Sequence, residues 1–166
     1  MALNGFDYSV SWSDFTDIPI RPQGVNEDAE IRTHFPHSYD FGSKKKAIIV
    51  AKAEVNISTI SADCWVVSSK KTDYLLKHEQ GHYDIMALGA REFYNKILTL
   101  TAADENKLEK KIKDLNAQIQ AKVNKVNKRY DSQTNHSLDA SMQQTWDKQI
   151  TGEKQKPAGS IDNLPA

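Results

Sequence analysis

At Thr72 the hydrophobic period of this chain changes from about two to between three and four. Before it, "DYSVSW" and "EIRTHF" alternate, and "KAIIVAKAEVNI" begins as an apolar run and continues alternating through Val55 and Ile57. Pro19, Pro22 and Gly24 break the first two candidate strands apart, and Gly42-Ser43 sits where a hairpin turn belongs. "NISTISAD" then turns the chain into a short last strand, "CWVVSS". Short connections of this kind predict antiparallel neighbours. Beyond Thr72, which can cap a helix, Leu75, Leu76, Ile85, Phe93 and Ile97 mark one helical face. After a break at 101–104, Leu108, Ile112, Leu115, Ile119, Val123 and Val126 mark another, in a helix predicted over 104–129. Strands first and helices second predict an α+β fold, not alternating βαβ units.

The second helix has Asp104, Glu105 and Glu109 in its first turns and Lys122, Lys125, Lys128 and Arg129 in its last, which complements the helix dipole. No aromatics interleave those lysines, so they read as a solvated face. The 22 basic residues of the chain equal its 22 acidic ones, so net charge calls for neither nucleic acid nor an anionic membrane. A single stripe of three heptads is marginal for a coiled coil and predicts packing on the same domain, in a monomer. "DASMQQTWDKQI" predicts a short third helix with Met142 and Trp146 inward. Residues 1–151 are of one-domain size, and 152–166, "GEKQKPAGSIDNLPA", form a tail of linker composition. No apolar run approaches the ~20 residues that span a bilayer, and "MALNGFDYSVSW" shows no targeting signal. Cys64, the single cysteine, lies in a strand-like apolar run and reads as a small buried hydrophobe.

The chemistry concentrates in "LLKHEQGHYDI", residues 75–85. Residues four apart share a helix face, so His78 and His82 can converge on one metal ion, with Glu79 beside it as a proton acceptor. Zinc suits two imidazoles and lowers the pKa of a bound water to about 7. The alternative is two unrelated histidines on one face. Leu75 and Ile85 place the pair on the side turned to the protein, where metal-free histidines would each need other partners. Gly81 weakens the helix by roughly 1 kcal/mol, a cost understandable where another group approaches closely.

"CWVV", "LLKHEQGHYDI", "AREFYNKI", "YDSQTNHS" and a closing "WDKQI" occur in that order over roughly residues 6–150. In these blocks the chain resembles a bacterial domain-of-unknown-function family described as predicted secreted zinc-dependent proteases. The resemblance implies a zincin-like fold, with an N-terminal antiparallel sheet over the His-Glu-x-x-His helix. It also implies an extracytoplasmic (periplasmic or secreted) location.

Catalytic zinc normally has three protein ligands and water. From His82 to Leu100 is about 27 Å of helix, and an antiparallel return brings the second helix level with His82 near residue 121 or 122. It then passes His78 before a loop starting at Tyr130, and that loop can fold back over the motif. His136 is the third ligand so predicted; Asp131 in the same block is the first rival. Glu92 is the second, and would require the helix to end at Gly89. Tyr130 and Tyr83 are candidates to donate to an oxyanion, and Asp84 to orient a ligand imidazole, although it points off the metal face. His34 and His37 read as loop residues around Pro36.

Together these residues predict a Zn2+-dependent metallopeptidase. His78, His82 and His136 hold the metal, Glu79 is the general base, Tyr130 assists, and an edge strand takes an extended peptide or protein substrate. The alternatives are a non-catalytic extracytoplasmic binding domain that keeps its zinc for stability, and a zinc amidase acting on cell-wall amides.

Overall fold

The computed structural model describes residues 2–166 and is α+β, with mixed sheets followed by three helices. Strand β1 (Ala2–Asn4) leads into a single helical turn at Trp12–Asp14 and strand β2 (Thr16–Ile18). Strands β3 (Ala29–Glu30), β4 (Thr33–His34), β5 (His37–Lys44), β6 (Ala47–Asn56), β7 (Ser58–Thr59) and β8 (Trp65–Val67) follow. The helices are α1 (Asp73–Ile97), α2 (Glu105–Thr134) and α3 (Ala140–Gln155), with strand β9 (Thr101–Ala102) between the first two.

The long β5–β6 pair is antiparallel, but β1 joins β6 and β2 joins β8 in parallel, so the all-antiparallel expectation is corrected. The alternating stretch "DYSVSW" is not a strand. Gln80 of α1 holds it instead, accepting from the Val10 amide (2.7 Å) and donating to the Tyr8 carbonyl (3.1 Å). "EIRTHF" splits between β3 and β4, because the Arg32 amide bonds to the Cys64 thiol. The hairpin turns at Lys45-Lys46, not at Gly42-Ser43. Both lysines have positive φ (48° and 67°), which a two-residue turn of matching twist requires at both positions. Gly42 lies inside β5, where an added Cβ would stand 2.9 Å from that of Ala51.

Helix α1 begins where Thr72 caps it, its side chain accepting from the Leu75 amide, and it runs unbroken through Gly89. It packs against β6, α2 and α3, and Ile85 to Arg91 is buried without interruption. All six apolar residues of the α2 stripe are buried, as predicted for packing on the same domain. A Cβ on Gly89 would lie 2.4 Å from a Val123 methyl, and one on Gly81 2.3 Å from the Tyr130 hydroxyl. These two glycines let α2 run close along α1 in the antiparallel sense.

The second helix extends to Thr134 instead of ending near Arg129. Tyr130 and Thr134 continue the buried i, i+4 row from Val126, and the Thr134 hydroxyl bonds back to the Tyr130 carbonyl at 2.7 Å. The register of the hairpin also differs. His82 is level with Asn127, not residue 121 or 122, because the α1–α2 connection is lengthened by β9, which pairs with β6.

Helix α3 is also longer than predicted, ending at Gln155, and the tail packs back on it. Arg91 donates to the carbonyls of Glu153, Lys154 and Gly159, and the Glu153 carboxylate receives Ser160 N and Asn163 Nδ2. Ile161 and Leu164 are buried there.

Gly81→Ala is expected to destabilise the fold by about 1–3 kcal/mol, as overpacking does. The gain in helix propensity, about 1 kcal/mol, is smaller than the displacement of a buried tyrosine. A thermal midpoint equal to or above that of the wild type would show that Tyr130 can yield.

Candidate metal centre

Two helices meet edge to edge at the site, each offering an i, i+4 pair: His78 and His82 on α1, Asn127 and Asp131 on α2. Nε2 of His78 and of His82 lie 3.3 and 2.9 Å from the same Asp131 oxygen, Oδ1. The donor atoms of His78, His82 and Asp131 all lie within 4.8 Å of one another, an arrangement able to hold a metal ion. Ligands about 2.0–2.1 Å from a tetrahedral metal stand roughly 3.3 Å apart, and the two distances to Asp131 Oδ1, 3.3 and 2.9 Å, are close to that spacing. The donor set, two imidazoles and a carboxylate, fits it chemically. The other ring nitrogens face amides, His78 Nδ1 at 2.9 Å from Gln143 Oε1 and His82 Nδ1 at 3.0 Å from Asn127 Oδ1.

The electrostatics call for a cation. Burial works against the charge of Asp131, but bonds from His78 and His82 overcome it and hold the carboxyl well below the usual range. Burial also opposes charge on His82, yet the Asp131 hydrogen bond and charge prevail and push its pKa up to about 9. Without metal, a proton on His82 is held where a metal ion would satisfy the same carboxylate.

Glu79 is 2 % exposed, and its Oε2 has no hydrogen-bond partner among the described residues. Burial pushes its pKa up; the neighbouring imidazoles and the Ile31 amide pull it back in part. It lines a cleft of about 580 Å³ together with all three cluster residues. The opposite wall is the extended segment around β3. The Val67 amide bonds to the Asp28 carbonyl, so the peptide groups of Asp28 face β8, and alternation turns those of Ala29 and Ile31 away from it. Among the described residues β8 is the one strand paired with β3, which leaves the other edge of β3 unpaired.

The structure joins Asp131, and not His136, to the two histidines. His136 lines the cleft with Nδ1 3.9 Å from Asp131 Oδ1 and 3.3 Å from Glu27 Oε1, without hydrogen-bond geometry to either. Asn135, His136 and Ser137 are all left-handed (φ 48°, 50° and 73°), at roughly 1–2 kcal/mol each for side-chain-bearing residues. Glu92 is remote, paired with Lys96 and Lys122. Tyr130 stacks on His78 (4.6 Å between centroids), but its buried hydroxyl donates to the His78 carbonyl (3.2 Å) and receives Gln143 Nε2. That hydroxyl faces the α1 backbone and positions His78; it is not directed at the cleft as an oxyanion donor would be. Tyr83 donates to the Gly5 and Ile57 carbonyls, and Asp84 pairs with Lys154. His37 packs on Phe93, away from the site.

Asn127 and Gln143 were missed from sequence. The four-residue spacing of Asn127 and Asp131, matching that of the histidines, was a usable signal. Gln143 left none.

The class defined here is an α+β protein with a His-His-Asp cluster suited to a metal ion, set in a cleft beside a buried glutamate. The chain belongs to the family described as bacterial protein of unknown function (DUF922), whose model matches residues 19–137, well over half its length. No curated protein and no solved structure matches it. Among the described residues no helix is long and apolar enough to cross a membrane.

The raised pKa of His82 gives a pH prediction. Zinc needs the neutral imidazole, so below about 9 binding must expel that proton. Affinity should therefore climb about tenfold per pH unit through 7 and 8, where an ordinary histidine near 6.5 would already have levelled off. In the metal-free protein the sign is opposite. A pKa raised from 6.5 to about 9 stabilises the fold fully below 6.5, and that contribution is lost as pH rises through 9. Zinc titration in a metal-buffered chelator at pH 7 and 8 reads the slope, and a flat response would contradict it.

Proposed function

We propose that this protein is a zinc-dependent metallopeptidase of zincin-like build, acting outside the cytoplasm as the family resemblance implies. The observation that carries the reading is the unpartnered, buried Glu79 oxygen beside the His78–His82–Asp131 cluster in an open cleft. A zinc ion held by these three residues would supply Lewis acidity, bringing the pKa of water there to about 7. Glu79 takes the proton from the attacking water and passes it to the leaving nitrogen. Its burial suits both roles, since a carboxyl moved up toward neutrality accepts and releases a proton with less difference in energy. The open edge of β3 gives an extended peptide backbone groups to pair with, Ala29 foremost, and holds the scissile bond along the cleft.

The test is digestion of a broad peptide library by zinc-loaded protein. Cleavage should stop with a chelator and return with added zinc. Stable zinc binding with no cleavage of any peptide would overturn the reading in favour of a binding domain that keeps its metal for stability.

A further inference from the structure

Asp131 poses a problem for the site it completes. At 3.3 Å from His78 Nε2 it attracts a proton to the very nitrogen that must be bare to bind metal. Something must hold the proton on Nδ1, and the groups that can do so are on α3, beyond the residues matched by the family model.

Gln143 is 1 % exposed, and its amide is hydrogen-bonded to three side chains, those of His78, Tyr130 and Asp147. Its Nε2 lies 2.8 Å from Asp147 Oδ1, whose other oxygen is 2.7 Å from the Lys77 ammonium. An ionised carboxylate only accepts, so this contact fixes which end of the amide carries the hydrogens. The amide oxygen must then face His78 Nδ1 (2.9 Å), and because that oxygen only accepts, Nδ1 must carry the hydrogen. The second Nε2 hydrogen goes to the Tyr130 hydroxyl, which passes its own hydrogen to the His78 carbonyl, so backbone and ring are fixed together.

We propose that Asp147 and Gln143 form a positioning relay that sets the tautomer of His78 against the pull of Asp131, and so sets the metal affinity of the site from α3. The relay deepens the proposed function, since it presumes that the cluster takes a metal, but the tautomer itself can be read without one.

The test uses the full chain with Gln143→Leu and Asp147→Asn. In metal-free protein at alkaline pH, long-range proton–nitrogen NMR should show wild-type His78 protonated on Nδ1. Gln143→Leu should move that proton to Nε2, toward Asp131, with His82 unchanged, and should weaken zinc binding about 10- to 100-fold. Asp147→Asn, which retains size and sits at a partly exposed site, leaves the amide free to flip. It should give a mixture of tautomers and a smaller loss, about tenfold or less, and it keeps the test decisive if Gln143→Leu fails to fold. An unchanged Nδ1 tautomer in either variant, or a switched tautomer with wild-type zinc affinity, overturns the proposal. If the variants show the tautomer switch but the wild type binds no zinc, the peptidase reading and the effect on metal affinity both fall, and only the control of the His78 tautomer stands.

Discussion

Glu79→Gln is expected to lower peptide turnover by about 10²- to 10⁴-fold while leaving zinc bound and the fold intact. The carboxylate and the amide have nearly the same shape, and Glu79 is not among the three residues whose donor atoms converge. Gln keeps an acceptor oxygen for the Ile31 amide, the backbone bond that Glu79 receives. What it lacks is a site that can take a proton from water. Stability should change little, because the substitution exchanges a buried, half-satisfied carboxylate for a neutral group with less desolvation cost. The measurement is turnover on whichever library peptide the wild type cleaves, with zinc content determined on the same samples. Comparable rates for wild type and variant, both fully loaded, would remove Glu79 from the role of base.

Asp131→Ala should weaken zinc binding by about a hundred- to a thousandfold, on the reasoning that ~10–16 kcal/mol of site affinity is shared among roughly four ligands. His136→Ala should cost less than about tenfold, below even the usual outer-shell loss, and Glu92→Ala nothing measurable. The order follows from distance. Asp131 Oδ1 touches both ligand nitrogens, His136 stands 3.9 Å beyond it, and Glu92, further along α1, is engaged by Lys96 of α1 and Lys122 of α2. Competition against a chelator of known affinity reads all three, with far-UV circular dichroism as the control for helix content. A large loss for His136 with Asp131 near neutral would mean that the loop at 135–137 closes onto the metal and that Asp131 is an orienting group.

That contrast also shows where sequence reasoning stopped. The α+β order, the start of α1 at Thr72, the six-residue stripe of α2 and the pairing of His78 with His82 were all legible. Each is a local matter: a cap, a period, or two residues four apart on one helix. Gly81 was legible as an anomaly, though its explanation, the hydroxyl of Tyr130, was not.

The errors share one cause. The polar run "DSQT" conceals the last turn of α2, because Tyr130 and Thr134 keep the buried row going with one aromatic and one hydroxyl that bonds its own backbone. Strand β9 lengthens the α1–α2 connection by pairing with β6, and that pairing carries no local mark in residues 101–102. The longer connection moves the hairpin register by about one and a half turns, and the added last turn keeps Asp131 on the helix, so Asp131 meets the histidines and His136 is left at the rim. Local periodicity fixes which face of each helix is apolar, and so determined that α1 and α2 would pack with the two histidines inward. How far one helix slides along the other depends on which side chains interlock, Val123 against Gly89 and Tyr130 against Gly81, and on a strand pairing far away in sequence. Those are long-range contacts, so the choice of Asp131 over His136, the place of Gln143 and the wall of the cleft were decided by the tertiary structure alone.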